Sequence, residues 1–138
     1  MTYVLDACAA AALFLPEEAS ARVEGLVGSL GDDDSILVPH LWWYETANIL
    51  AGAVRHRRLA EADAVAAWNL MAALSPETDS RAGSLFGVDI MELALSHSLS
   101  AYDASYLELA MRKRAALVTL DRDLALAAGK AGVRLPLS

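Results

Sequence analysis

The sequence predicts an α/β fold in which helices cover both faces of a central parallel sheet of four to five short strands. Two observations predict it. Short apolar runs alternate along the chain with segments whose apolar residues recur at helical spacing. Alanine and leucine supply much of a hydrophobic content of 56%, which favours helices over an all-β design. A length of 138 residues suits a single domain spanning 1–138.

Thr2 to Leu5 reads as a buried strand closed by Asp6, with helical spacing to about Leu15, where Pro16 interrupts it. A second helix runs from about Glu17 to Leu30 and stops at Gly31. The run Asp32-Asp33-Asp34 reads as a solvated turn into a strand at Ile36 to Val38, ended by Pro39. Two longer helices follow, about Leu41 to Arg57 and Leu59 to Leu74. Pro76 to Gly83 reads as a loop, Ser84 to Gly87 as a short strand, and Asp89 to His97 as a helix. Ser100 opens a helix to about Arg112. Ala116 to Leu120 is a strand, Arg122 to Lys130 a helix ended by Gly132, and Val133 to Leu135 a last strand. Right-handed crossovers align the C-terminal ends of such strands along one edge, where sites form in open α/β sheets.

The net charge of −7 counts against simple nucleic-acid binding, which normally shows a basic face. The excess is reconciled with a phosphate-bearing substrate only where acids converge on a divalent cation. A lone cysteine, Cys8, excludes an intrachain disulfide. No basic stretch precedes the first apolar run, and the run from Ala7 to Leu15 falls short of the roughly 20 residues of a membrane span. The expectation is a soluble cytoplasmic protein with no targeting segment and no membrane contact.

Asp6 and Asp121 each follow a strand directly and so stand at the active edge. Glu45 lies in the second turn of the helix that leaves the second strand, and Asp103 in the first turn of the helix opened by Ser100. Capping offers a simpler reading: Asp6 and Asp121 suit helix N-caps, and Ser100-x-x-Asp103 resembles a capping box. Helical phase argues further for Glu45, which shares a face with Leu41 and Ile49. Asp103 likewise lines up with Leu99, Leu107 and Ala110, opposite a polar stripe of Ser105, Glu108 and Arg112. A carboxylate on a core-facing stripe is costly unless paired, protonated or bound to metal. Lys113 and Lys130 lie away from the edge, and Arg55-His56-Arg57-Arg58 sits at the far end of its helix. Hard cations such as Mg2+ and Mn2+ suit oxygen ligands of this kind, and carboxylate-held Mg2+ serves phosphodiester hydrolysis. Cys8 has no histidine before His40 with which to pair as a nucleophile, and His40 and His97 lack metal-ligand spacing.

Four segments carry a family resemblance: Tyr3-Val-Leu-Asp6-Ala7, Glu45-Thr-Ala-Asn48-Ile-Leu50, Leu99-Ser-Ala-Tyr-Asp103-Ala-Ser-Tyr106 and Leu117-Val-Thr119-Leu-Asp121-Arg-Asp123. In that order they resemble a PIN domain, and more narrowly the VapC-type toxin ribonucleases of bacterial toxin–antitoxin pairs, over nearly the whole chain. The resemblance implies a Rossmann-like α/β/α sandwich, RNA cleavage dependent on Mg2+ or Mn2+, a homodimer, and a cognate antitoxin whose C-terminal segment blocks the active-site groove. It also implies catalytic and metal-binding roles for Asp6, Glu45, Asp103 and Asp121, with Asp123 as an accessory acid and Asn48 and Thr119 in support. One departure is Cys8, where many relatives carry a hydroxyl residue; a thiol donates hydrogen bonds poorly and would orient Asp6 or its water less well.

Other features keep more than one reading. Trp42-Trp43-Tyr44 suits core packing, a dimer seam or base stacking. Arg55, Arg57, Arg58, Arg112 and Arg114 suit a solvated helix end or phosphate contact. Arg122, beside Asp121, is the basic residue best placed for RNA. A phosphoacceptor receiver domain would need adjacent acids after the first strand, where Ala7 and Cys8 stand. A haloacid-dehalogenase-type phosphatase would need aspartate at position 8. A catalytically weakened or non-toxin PIN protein is the remaining alternative.

Overall fold

The structure is a computed structural model and describes residues 1–15, 20–81 and 83–137. It contains β1 (Thr2–Leu5), α1 (Ala7–Ala12), α2 (Ser20–Ser29), β2 (Ser35–Val38), α3 (His40–Arg55), α4 (Glu61–Ala73) and β3 (Glu77–Thr78). A 3-10 turn at Gly83–Leu85 leads to α5 (Gly87–His97), α6 (Ala101–Lys113), β4 (Ala116–Val118) and α7 (Arg122–Lys130). No helix among the described residues is long and apolar enough to cross a membrane.

The strands form one parallel sheet in the order β3-β2-β1-β4. Val4 stands against both Leu37 and Leu117, so β1 is central and paired on each side. The chain steps outward from β1 to β2 to β3, then returns to the opposite side of β1 as β4. Right-handed crossovers require that reversal to send the later helices to the other face. The packing agrees: α1 lies on α2 and α3, and α3 on α4, whereas α6 lies on α5, α7, β1 and β4. The order therefore switches between β1 and β4, and a doubly wound sheet opens its crevice beyond the strand ends at such a switch.

Burial on both faces explains the strand compositions, which are apolar without alternation. Val4, Leu5, Val38, Leu117 and Val118 are fully buried, with Trp42, Tyr106, Leu107, Leu109 and Leu124 packed over them. Of the aromatic triplet, Trp42 is core, Trp43 packs edge-on to Trp42 and Trp68 and donates to the Thr78 hydroxyl, and Tyr44 is exposed.

Three expectations need correction. The strand expected at Ser84 to Gly87 is the 3-10 turn, and the strand beside β2 is instead β3, inside the expected loop. β3 is polar and two residues long, held by its pairing with Leu37 and Val38 rather than by its own pattern. Val133 to Leu135 forms no strand; it contributes one ladder-like bond, from the Leu117 amide to the Arg134 carbonyl at 2.9 Å. The expected start of the second helix at Glu17 lies outside the described residues.

The third correction concerns α6. Glu108, expected on a solvated stripe, is 8% exposed. Its carboxylate accepts from Arg81 at 2.8 Å and Arg112 at 2.7 Å, and Arg112 also reaches Asp79 at 2.5 Å. Arg81 in turn pairs with Asp89. α5 packs against this side of α6, so the helix buries two faces and its acid needs internal cations.

Candidate active site

Each of the four acids expected at the active edge is placed there by an identifiable local cause. Asp6 ends β1, and its amide donates to the Val118 carbonyl at 3.0 Å, which fixes it at the seam between β1 and β4. It also N-caps α1, its Oδ1 accepting from the Cys8 amide at 3.1 Å. Asp121 N-caps α7, its Oδ1 accepting from the Leu124 amide at 2.9 Å. Ser100 caps α6 by accepting from the Asp103 amide, and its hydroxyl also lowers the Asp103 carboxyl against the effect of burial. Capping therefore accounts for part of Asp6 and Asp121 and touches Asp103 through Ser100, while Glu45 has no capping role.

Two hydroxyls tie the acids together. Thr119 Oγ1 donates to Asp6 Oδ2 at 2.6 Å and accepts from the Asp121 amide at 3.0 Å. Tyr106, fully buried, donates from its hydroxyl to Glu45 Oε1 at 2.6 Å across 61 residues of sequence. Thr119 was legible as a supporting residue; Tyr106 was visible in its segment, but no pattern in the sequence indicated whom it meets.

The charges feel one another. Burial pushes the Asp6 carboxyl up to about 6, against the bonds from Thr119 and Cys8 and with help from the charges of Glu45 and Asp103. Burial likewise raises Glu45, with Asp103 adding to it, and raises Asp103, with Asp121 and Asp123 adding to it. The same four acids and burial push the Cys8 thiol up to about 11, so it stays protonated. Among the described residues no lysine, arginine or histidine forms an ion pair with any of the four.

Folding raises the Asp6 carboxyl above its ordinary value of 3.8, so the native state holds that proton more tightly than the unfolded chain. The resulting stabilisation is full below about pH 4 and is lost as pH rises through about 6. In chelator, the melting temperature of the wild type relative to Asp6→Asn is therefore expected to fall over that window, as calorimetry at several pH values would show.

The remaining expected residues divide. Arg122 is exposed but lines a cavity of about 140 Å³ with Thr119 and Asp121. Asp123 is exposed and acts on Asp103 only through its charge. Cys8 contributes its backbone amide, not its thiol. Asn48 is exposed, and among the described residues no hydrogen bond links it to the acids.

The donor set is one of carboxylate oxygens with no ion-paired cation among the described residues, which fits a hard divalent ion. Among the described residues no three His, Cys, Asp or Glu side chains already form a ligand array. The electrostatic coupling, and not a preformed cage, is what marks the site.

A doubly wound sheet with this acidic crevice is a PIN domain: the family model described as "PIN domain" matches residues 3–130, and the chain belongs to that family. Within it, the chain is 35% identical over 129 residues to Ribonuclease VapC3 of Pyrobaculum aerophilum, covering 91% of this chain and 93% of that one. Two solved structures share the fold. PAE2754 from Pyrobaculum aerophilum has a TM-score of 0.72 at 25% identity, over 99% of this chain and 84% of that one. VapC20 of Mycobacterium tuberculosis, a sarcin–ricin loop cleaving toxin, has a TM-score of 0.70 at 18% identity, over 91% and 94%.

Proposed function

We propose that this PIN protein is an endoribonuclease dependent on Mg2+ or Mn2+ and the toxin of a toxin–antitoxin pair, with Asp6, Glu45, Asp103 and Asp121 as its catalytic and metal-binding acids. The observation that carries the reading is the chain of charge repulsion that links Asp6 to Glu45 and Asp103, and Asp103 to Asp121, at the β1–β4 switch, with no ion-paired cation on these acids among the described residues. The likeness to Ribonuclease VapC3 supports the choice of RNA and the pairing with an antitoxin. A homodimer in the cytoplasm completes the proposal.

Bound there, a divalent ion would lower the pKa of a coordinated water and offset charge developing on a phosphodiester. The protein's own groups prepare that chemistry. Thr119 and the Cys8 amide hold Asp6 with one lone pair on each oxygen already engaged, which fixes the plane of the carboxylate. The Thr119 hydroxyl carries that constraint to the backbone of Asp121. Arg122, next in the chain, lines a cavity with Asp121 and is a cation able to meet a phosphate there.

Thr119→Val keeps the side chain's shape and removes both of its bonds. Mn2+ affinity is expected to fall about tenfold or more, as for other lost supports of metal ligands. Stability should fall by about 1–2 kcal/mol, since buried Asp6 loses a donor. Thr119→Ser should restore most of both, read by metal titration and thermal melts.

Cleavage of cellular RNA by the purified chain, stopped by exhaustive chelation and restored by Mn2+, tests the reading; cleavage indifferent to chelation refutes the metal mechanism. For the toxin role, induced expression should arrest growth and a small neighbouring gene should relieve it. Harmless expression with no such gene would favour a non-toxin PIN protein.

A further inference from the structure

We infer that Tyr106 is a positioning residue for Glu45, holding one carboxylate oxygen so that the other is presented to the metal site; this rests on the proposed function. The phenol is fully buried, and its hydroxyl donates to Glu45 Oε1 at 2.6 Å; the backbone amide of Ala7 lies beside the same oxygen.

These groups belong to three elements. Ala7 follows Asp6 at the start of α1, Glu45 belongs to α3, and Tyr106 lies one turn beyond Asp103 on α6. The one hydrogen bond thus ties the helix that carries Glu45 to the helix that carries Asp103, beside the start of α1. It does so across the switch in strand order, because α3 and α6 lie on opposite faces of the sheet. Thr119 does the equivalent for Asp6 and Asp121.

Glu45 needs such a support more than the others. Asp6 follows β1 directly and Asp121 lies three residues beyond β4, each braced by the helix it caps, and Asp103 sits in a capped first turn. Glu45 reaches the cluster from the second turn of a helix whose own N-terminus has no side-chain cap, on a side chain with one more rotatable bond. The hydroxyl engages Oε1, and among the described residues Oε2 has no hydrogen-bond donor.

Tyr106→Phe removes one oxygen and leaves the ring that fills the core, so the variant is expected to fold. Mn2+ binding, followed by electron paramagnetic resonance, should weaken about tenfold to a hundredfold, the range for lost supports of metal ligands. The Mn2+ concentration needed for half-maximal RNA cleavage should rise by the same factor, and cleavage at saturating Mn2+ should return to within about threefold of wild type. In the Glu45→Gln background, Tyr106→Phe should cost less than about twofold further, since the partner it positions has lost its charge.

A melting temperature lowered in chelator with Mn2+ affinity unchanged would make Tyr106 merely structural and overturn the inference. An equal loss in both backgrounds would overturn it too. Wild-type protein that binds no Mn2+ would remove the metal reading itself, and this inference with it.

Discussion

Asp103→Asn is expected to reduce RNA cleavage by about a thousandfold or more while leaving the metal-free protein at least as stable as wild type. Loss of a metal ligand forfeits several kcal/mol of transition-state stabilisation, and about 1.4 kcal/mol is a factor of ten. The stability half of the prediction follows from what surrounds the side chain. Asp103 is raised above its ordinary value by burial and by the charges of Asp121 and Asp123, so its ionised form is resisted by the fold. Asparagine keeps the shape without the charge and an oxygen that the Ser100 hydroxyl can meet, and Ser100 still accepts from the backbone amide of residue 103. Cleavage at saturating Mn2+ and melts in chelator, on the same preparation, separate the two effects. An unfolded variant, or one cleaving within tenfold of wild type, would contradict the assignment.

Arg112→Ala is expected to cost about 3 kcal/mol of stability, in the range for breaking a buried ion pair by removing one partner. For a chain of this size that lowers the melting temperature by roughly 10 °C. Arg112 bonds both Glu108 and Asp79, whose side chains are only 10% and 9% exposed. Removing it leaves Asp79 without that cation and Glu108 with Arg81 alone. Arg112→Lys should recover little, because an ammonium cannot span two carboxylates as the guanidinium fork does. Thermal denaturation checks the stability. Cleavage assayed well below the transition should stay near wild type, since this network includes none of the four acids.

The two predictions concern residues that the sequence made unequally legible. Asp6 and Asp121 could be placed because a strand end is a local feature: an apolar run, then an acid, fixes an edge of the sheet. Glu45 and Asp103 needed one further step, the helical phase that sets an acid among leucines. Thr119 was reached only through the family resemblance, and the structure gives it a physical role by bonding it to Asp6 and to the Asp121 amide.

Tertiary pairing was what the chain concealed. Glu108, Asp79, Arg81 and Arg112 each look like solvated charges, because nothing local reports that α5 will cover that flank of α6. Tyr106 stood in a family-matching segment with no role given to it; it is buried in the core, and its hydroxyl serves a residue 61 positions away. β3 escaped for a different reason: a two-residue polar strand is defined by its neighbour β2 and not by its own composition. Conversely, the apolar run at Val133 to Leu135 has strand-like composition but secures a single backbone bond to β4.

The central claim is that a divalent ion binds among Asp6, Glu45, Asp103 and Asp121. Anomalous diffraction from crystals grown with Mn2+ tests it most directly. The account predicts a manganese peak at the C-terminal edge of β1 and β4, with carboxylate oxygens of this group at coordination distance, about 2.0–2.3 Å. A peak bound elsewhere, or none in protein that still cleaves RNA after chelation, would contradict it.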